Sequence, residues 1–509
     1  MIEILLGFVI LVYTVDIVLL FYFGIHCYAM IHLFLKNPQR CEVDQDEYDS
    51  LKKKMSKWPK VTIQLPMFNE YYVAERVIDA TCAIDYPKSK LEIQVVDDST
   101  DESRFVAENK VKEYKAKGFD IKYIHRDNRQ GHKAGALKEA LEIAKGEYIG
   151  IFDADFIPAK DFLRKAIPYF WQAKNIGMVQ ARWGHVNADY SVLTRAQSIG
   201  IDGHFVIEQV ARNANDLWMN FNGTAGVWRK ECIYDAGNWQ SDTLTEDFDL
   251  SYRAELKGWE FKYLTDIVNP AEIPATVPAY KSQQFRWCKG SIQTAVKLIP
   301  TILKSKENWK VKLEAVTHLL NYSVHPLMII NILATLPLLL FHETWAEVSL
   351  ATLFGAAFVL SIGTLGPISF YIVSQKALYP DWKRRITLLP LLTTLGTGIA
   401  ISNTKAWLEA ILGKKSGFVR TPKLKIENKG DKVEARRKYK QVKFDKLALV
   451  EFLMGVYILF TIYVAFQVDK WFVIPFLWLY ASGFFYISFF TLYDSLKQNL
   501  AARKQVRTA

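Results

Sequence analysis

Apolar residues are unevenly spread along the chain, and their spacing divides it. Residues 1–35 form a nearly continuous apolar run, interrupted by charge only at Glu3 and Asp16. That exceeds the roughly 20 residues a helix needs to cross a bilayer. A secretory signal would also be apolar, but this run has no basic leading segment and is too long for a signal's apolar stretch. Residues 57–286 mix apolar and charged positions, and apolar runs then return at 324–341, 350–373, 386–401, 447–466 and 471–492. The pattern predicts a soluble domain slung between membrane segments. Its expected parts are a transmembrane helix at 1–35, a linker at 36–59, a soluble domain at 60–290, and interfacial and transmembrane helices at 291–412. A basic loop at 413–446, transmembrane helices at 447–495 and a tail at 496–509 follow.

Inside the soluble block the period changes. Short apolar runs at 61–65, 91–96, 121–125 and 148–152 read as strands, ended by Pro66 or by acids. Between them, 69–83 and 134–145 read as helices. Strands alternating with helices predict an α/β domain, a mostly parallel sheet with helices on both faces. Right-handed crossovers then bring the strand ends carrying Asp98 and Asp153 to one edge.

Composition and charge refine this picture. A 50% hydrophobic, 14% aromatic chain is too apolar for an ordinary soluble enzyme. The formal net charge of +11 raises the question of nucleic acid, but the cations gather beside apolar ends, at Lys52-Lys53-Lys54, Lys383-Arg384-Arg385, Lys414-Lys415 and Arg436-Arg437-Lys438. That is the positive-inside distribution, not a basic groove, so no nucleic-acid partner is expected. It predicts a multi-pass protein of the cell (inner) membrane, with Met1 outside and the soluble domain and later basic loops cytoplasmic. The segment 386–401, with Pro390, Gly396 and Gly398, is then re-entrant or interfacial, because a full crossing would put the second basic loop on the wrong face. Five scattered cysteines without a CxxC pair argue against zinc or a disulfide framework.

The chemistry concentrates where Tyr148-Ile149-Gly150-Ile151-Phe152 runs into Asp153-Ala154-Asp155. Asp is disfavoured inside strands, and ligands of open α/β sheets collect beyond the strands' carboxyl ends. Two carboxylates there repel unless a cation sits between them, and a hard divalent ion carrying phosphate oxygens suits. A solvated surface turn would carry the same letters. The loop 126–137 is basic and opens a helix, so Lys133 is a candidate anion ligand. No complete P-loop or GxGxxG is present, and a solvated loop is the alternative. His132 is expected to pack or face water. Thr245 is a candidate N-cap for a helix starting at Glu246, next to Asp247, although acids in a first turn are ordinary. Gln283, Arg286 and Trp287 stand at helical spacing. Arg clamps phosphate in bidentate fashion and Trp offers a flat face to a sugar, though an interfacial amphipathic helix looks similar.

Several further motifs complete the set. They are Leu65-Pro66-Met67-Phe68-Asn69-Glu70, Val96-Asp97-Asp98-Ser99-Thr100-Asp101, Arg126-Asp127-Asn128-Arg129, Val179-Gln180-Ala181-Arg182-Trp183, Phe221-Asn222-Gly223-Thr224, Thr245-Glu246-Asp247, Gln283-Gln284-Phe285-Arg286-Trp287 and Phe418-Val419-Arg420-Thr421-Pro422-Lys423. In this order they resemble the family-2 glycosyltransferases of processive polysaccharide synthesis, most nearly the cellulose-synthase-like mannan and glucomannan synthases. The resemblance covers nearly all of 60–290. It implies a GT-A-type fold joined to a helical transmembrane domain. Asn69, Glu70 and Asp98 would hold the nucleoside, Lys133 and Asp153 the nucleotide sugar, and Asp155, with Asp153, a Mg²⁺ or Mn²⁺ ion. Asp247 would be the general base, with Glu246 beside it. Gln283, Arg286 and Trp287 would line the diphosphate and acceptor, and Phe418, Thr421 and Lys423 would close over nucleotide. Nothing resembles an appended cyclic-dinucleotide-binding domain.

The implied function is a metal-dependent inverting hexosyltransferase of the bilayer that polymerises a β-linked mannan or glucan from a GDP-mannose- or UDP-glucose-type donor and exports the growing polysaccharide. Aromatics in 447–492 would partly line an exit tunnel, most of them facing lipid or other helices. A non-processive transferase acting on a lipid acceptor is the first alternative. An inactive transferase-like scaffold is the second.

Overall fold

The computed structural model describes residues 2–341, 350–415, 420–431, 433 and 445–506. Seven strands form one sheet: β1 (Val61–Met67), β2 (Leu91–Asp97), β3 (Asp120–His125), β4 (Tyr148–Ile151), β5 (Ile176–His185), β6 (Gly226–Arg229) and β7 (Glu260–Ala271). Their order is β3-β2-β1-β4-β6-β5-β7. The first four are mutually parallel, β6 runs antiparallel to β4 and β5, and β5 and β7 are parallel. The fold is therefore α/β with a mostly parallel sheet, as the alternation of periods predicts. Every residue of β2 and nearly every residue of β1 is buried, which matches their continuous apolar lettering.

Three strands escape the sequence pattern. β6 has four residues, and β7 carries Asp266, Asn269 and Pro270, letters that normally exclude a strand. β7 is tolerated because it lies at the sheet's edge, where a missing N–H costs no ladder bond. The helix expected from Asn69 starts only at Ala74 and ends at Cys82. Residues before it form a turn in which Asn69 adopts a positive φ of 54°. The helix expected over 134–145 spans His132–Glu142.

Two apolar layers sandwich the sheet. One gathers Val61, Ile63, Leu65, Val77, Ile93 and Phe162. The other joins Leu137, Ile149, Phe205 and Trp228 to Met30, Ile31 and Phe34, the last turns of the helix Ile2–Lys36. That helix is therefore packed onto the α/β domain.

Four helical stretches among the described residues are long and apolar enough to cross a membrane: Ile4–Lys36, Asn321–Leu340, Lys446–Gln467 and Trp471–Leu496. The pair Trp382–Gly398 and Ala400–Ile411, bent by 43° at its break, has the form of either a broken span or a re-entrant loop, and the helical run read as ending at 401 continues to Ile411. The helix Leu350–Leu378 crosses Ile2–Lys36 at glycines, where a Cβ on Gly366 would lie 2.2 Å from the Gly24 carbonyl oxygen. Small residues permit such close backbone approach. Of the tunnel-candidate aromatics, Phe460, Tyr463, Phe466, Trp471, Phe472, Phe476 and Trp478 are exposed, whereas Phe484 is fully buried. The long helix Val277–Lys304 ties the two parts together, with buried Lys281 bridging Asp445 and Glu451 and buried Lys289 bridging Glu409.

Candidate active site

The carboxyl ends of β1, β2 and β4 and the segments after β6 and β7 surround one cleft of about 1370 Å³, open solvent included. Glu70, Asp98, Lys133, Asp153, Asp155, Glu246, Asp247, Gln283, Arg286, Trp287, Thr421 and Lys423 all line it. Asn69 does not. Its side-chain oxygen accepts from the Thr100 N–H and its backbone N–H donates to Ser99 Oγ, so it pins the neighbouring loop to β1 instead of facing the cleft. Phe418 lies outside the described residues.

Each acid of the cleft has a cationic neighbour. Lys133, at the start of its helix, donates to Asp153 Oδ1 at 2.6 Å and to the Gly223 carbonyl at 2.8 Å, and lies 3.8 Å from Glu246. Its own burial works against its charge, but Asp153, Glu246 and Asp247 outweigh that and raise its pKa. Asp153 is further fixed through its backbone N–H, which donates to Thr224 Oγ1 at 2.9 Å. Lys423 reaches across from the segment after 419 to donate to Asp155 Oδ2. Arg420 forks onto both oxygens of Glu70, yet burial still pushes that carboxyl up to about 7. Asp98 is gripped by Arg126 through two bonds of 2.7 Å, with both partners buried.

Asp247 stands in the first turn of the helix Glu246–Glu255. Burial, and then the negative charge of Glu246, raise its pKa to about 7, against the opposing pull of Lys133. Thr245 precedes the helix, but its hydroxyl turns to Thr294 instead of capping. That contact seats the acids against Val277–Lys304 where the latter is thinnest, since a Cβ on Gly290 would lie 2.5 Å from Thr245 Cγ2. Gly223 is equally constrained: its φ is +78°, and a Cβ would lie 2.8 Å from Asp247 Oδ2. Arg286, on the Val277–Lys304 helix, faces Glu246, Asp153, Asp247 and Asp155, although burial lowers its pKa.

The donor set fits a divalent ion that arrives with its substrate. Among the described residues no three His, Cys, Asp or Glu side chains are grouped to hold a metal by themselves. Asp153 and Asp155 each engage a lysine through one carboxylate oxygen. Magnesium-like ions are commonly bound by one or two carboxylates and completed by phosphate oxygens and water.

Sequence reasoning assigned no role to Arg126, Arg420 or Glu272. Arg420 sat inside a quoted motif without one. Glu272, at the end of β7, accepts from the backbone N–H groups of Leu424 and Lys425 at 2.8 and 2.9 Å. No motif marks it.

Residues 59–290 match the family model described as "Glycosyltransferase like family 2". They are a family 2 glycosyltransferase domain. Relatives agree: over 283 residues the chain is 41% identical to glucomannan 4-beta-mannosyltransferase 2 of Arabidopsis thaliana, covering 55% of this chain and 53% of that protein. Over 272 residues it is 42% identical to glucomannan 4-beta-mannosyltransferase 1 of Oryza sativa subsp. japonica, covering 53% and 52%. The chain spans about half the length of the curated relatives it matches. A mannosyltransferase from Pyrobaculum calidifontis, solved with GDP-Man and Mn²⁺, overlaps with a TM-score of 0.48 at 20% identity, covering 78% of this chain and 100% of that one. An overlap that slight transfers nothing. The glycosyltransferase domain supplies the whole cleft wall except Arg420, Thr421 and Lys423.

Proposed function

We propose that the chain is a membrane-integrated, inverting glycosyltransferase that extends a β-linked mannan- or glucomannan-type polysaccharide, with a nucleotide-linked mannose as donor. The observation that carries this reading is the meeting of Asp153, Asp155, Glu246 and Asp247 with Lys133, Arg286 and Trp287 in one cleft. The names of the relatives support mannose and a β linkage. The apolar helices support a place in a membrane, and the lysines and arginines gathered beside the apolar runs support a cytoplasmic position for the domain and its donor.

Glu70 and Asp98 lie at the nucleoside end of the cleft, and Lys133, Arg286 and Lys423 at the diphosphate. A divalent cation held by Asp155, with Asp153 beside it, would supply neutralising charge to the departing diphosphate. Asp247 takes the proton from the acceptor hydroxyl as that oxygen bonds to the anomeric carbon. The bond from that carbon to the diphosphate oxygen breaks, and nucleoside diphosphate leaves with the electron pair. One displacement inverts the anomeric centre, so an α-linked donor gives a β-linked product. Arg286 and Lys133, preorganised against the leaving oxygens, stabilise the developing charge by about 3 kcal/mol each in a site sheltered from water. Trp287 gives the acceptor ring a flat apolar wall.

A donor panel tests this. Detergent-purified protein with Mg²⁺ or Mn²⁺ and labelled GDP-mannose, UDP-glucose or GDP-glucose is expected to incorporate mannose into long β-linked chains. A single labelled glycolipid would favour the non-processive alternative, and no incorporation from any donor would overturn the proposal.

A further inference from the structure

Asn222 lines the cleft beside Gly223, and its side chain is held by a relay leading away from the chemistry. Gln209 Nε2 donates to the Asn220 carbonyl at 2.9 Å and to Asn222 Oδ1 at 2.6 Å. The Asn222 amide is thereby oriented, with Nδ2 facing His204 Nε2 at 2.9 Å. An amide nitrogen only donates, so His204 Nε2 must accept and the ring proton sits on Nδ1. Nδ1–H then donates to Glu208 Oε2 at 2.7 Å. Glu208 pairs with buried Arg212 at 3.4 Å, and Arg212 donates to Glu314, which also binds His26 of the first helix. Although burial opposes it, Arg212 and His204 hold the Glu208 carboxyl far below its usual range.

His204 and Glu208 lie in a π-helical segment, Gly203–Glu208, a local widening that is frequent at functional sites. Ile201, one turn earlier, lines the cleft. His204 and Glu208 keep 27% and 22% of their side-chain surface exposed. The relay meets the cleft at Asn222, next to Gly223, where a Cβ would lie 2.8 Å from Asp247 Oδ2, and its Gly203–Glu208 segment packs against the helix Ile2–Lys36. With its bonds to His204 Nε2 and Gln209 Nε2 made, the Asn222 amide keeps one N–H and one oxygen lone pair for a ligand. A neighbouring hydroxyl, both donor and acceptor, matches that pair.

We infer that His204, held by Glu208 and Arg212, is a positioning residue that fixes the Asn222 amide to read a hydroxyl of the acceptor sugar. The inference rests on the polymerising activity proposed above. The test is steady-state kinetics with short β-1,4-manno-oligosaccharides as acceptor and GDP-mannose as donor. His204→Phe keeps the ring's bulk and deletes the acceptor nitrogen. It is expected to raise the acceptor KM about tenfold, as loss of one well-placed hydrogen bond does, while the donor KM stays within about twofold. His204→Gln, whose carbonyl can accept from Asn222 and whose amide can donate to Glu208, is expected to restore most of the loss. An unmoved acceptor KM, or equal rises for donor and acceptor, overturns the inference. If the wild type binds nucleotide by calorimetry but elongates no oligosaccharide, the proposed function itself fails.

Discussion

At the scale of single residues, the cleft sets the buried Asp247 carboxyl, proposed as the base, among charges of both signs. Asp247 accepts a proton only when ionised, and its carboxyl is pushed up to about 7. Transfer by the wild type is therefore expected to fall roughly tenfold per unit as pH drops below that value and to level off above it. Lys133 is the cation that opposes the rise, so Lys133→Met is expected to move this limb to higher pH. A limb that stays in place, read from kcat against pH at saturating donor, would remove Lys133 from that role. The acids were legible in the sequence because Asp at a strand end is anomalous, as at Asp98 and Asp153. Their partners were not. Nothing in the letters says which of many cations will return to Asp98 or Glu70, and Arg126 and Arg420 emerge only when distant segments meet. Asn69 is not among the residues lining the cleft, since a motif gives proximity and not the direction in which a side chain turns.

At the scale of elements, the segment 420–425 closes one side of the cleft through three anchors: Arg420 on Glu70, Lys423 on Asp155, and Glu272 on two backbone N–H groups. The Glu272 carboxylate accepts from backbone N–H groups of this segment, so Glu272→Ala loosens it while leaving the Arg420 and Lys423 side chains in place. Nucleotide affinity measured by calorimetry is expected to fall about tenfold, consistent with losing two hydrogen bonds to a carboxylate of which part is recovered by water; unchanged affinity would show that the segment does not shape the nucleotide site. The crossing of Ile2–Lys36 with Leu350–Leu378 makes a second element-level prediction. Gly366→Leu leaves no room at the Gly24 carbonyl, and helix separation is expected to lower the thermal midpoint in detergent by several degrees. A midpoint equal to wild type would mean that the crossing tolerates a side chain. β1 to β4 were readable because each is an apolar run bounded by breakers. β5 to β7 were not, since β6 is too short to show a period and edge strand β7 admits Asn and Pro.

At the scale of the whole molecule, the helix Val277–Lys304 joins the α/β domain that carries the cleft to the later apolar helices. Its first half brings Gln283, Arg286 and Trp287 to the cleft, and Lys281 and Lys289 fasten it to later helices. The division into a charged domain between apolar runs was legible from composition alone. The packing of the first helix onto that domain was not, because Met30, Ile31 and Phe34 look like any other apolar letters of a spanning run. The central claim is that Asp247 removes the acceptor proton in a sugar transfer that builds a chain. Membranes carrying wild-type or Asp247→Asn protein, incubated with labelled GDP-mannose and Mg²⁺, test it most directly. Wild type is expected to yield long, β-mannanase-sensitive labelled polymer, and the variant at least about a hundredfold less with nucleotide binding intact. Equal polymer from both proteins would contradict the account.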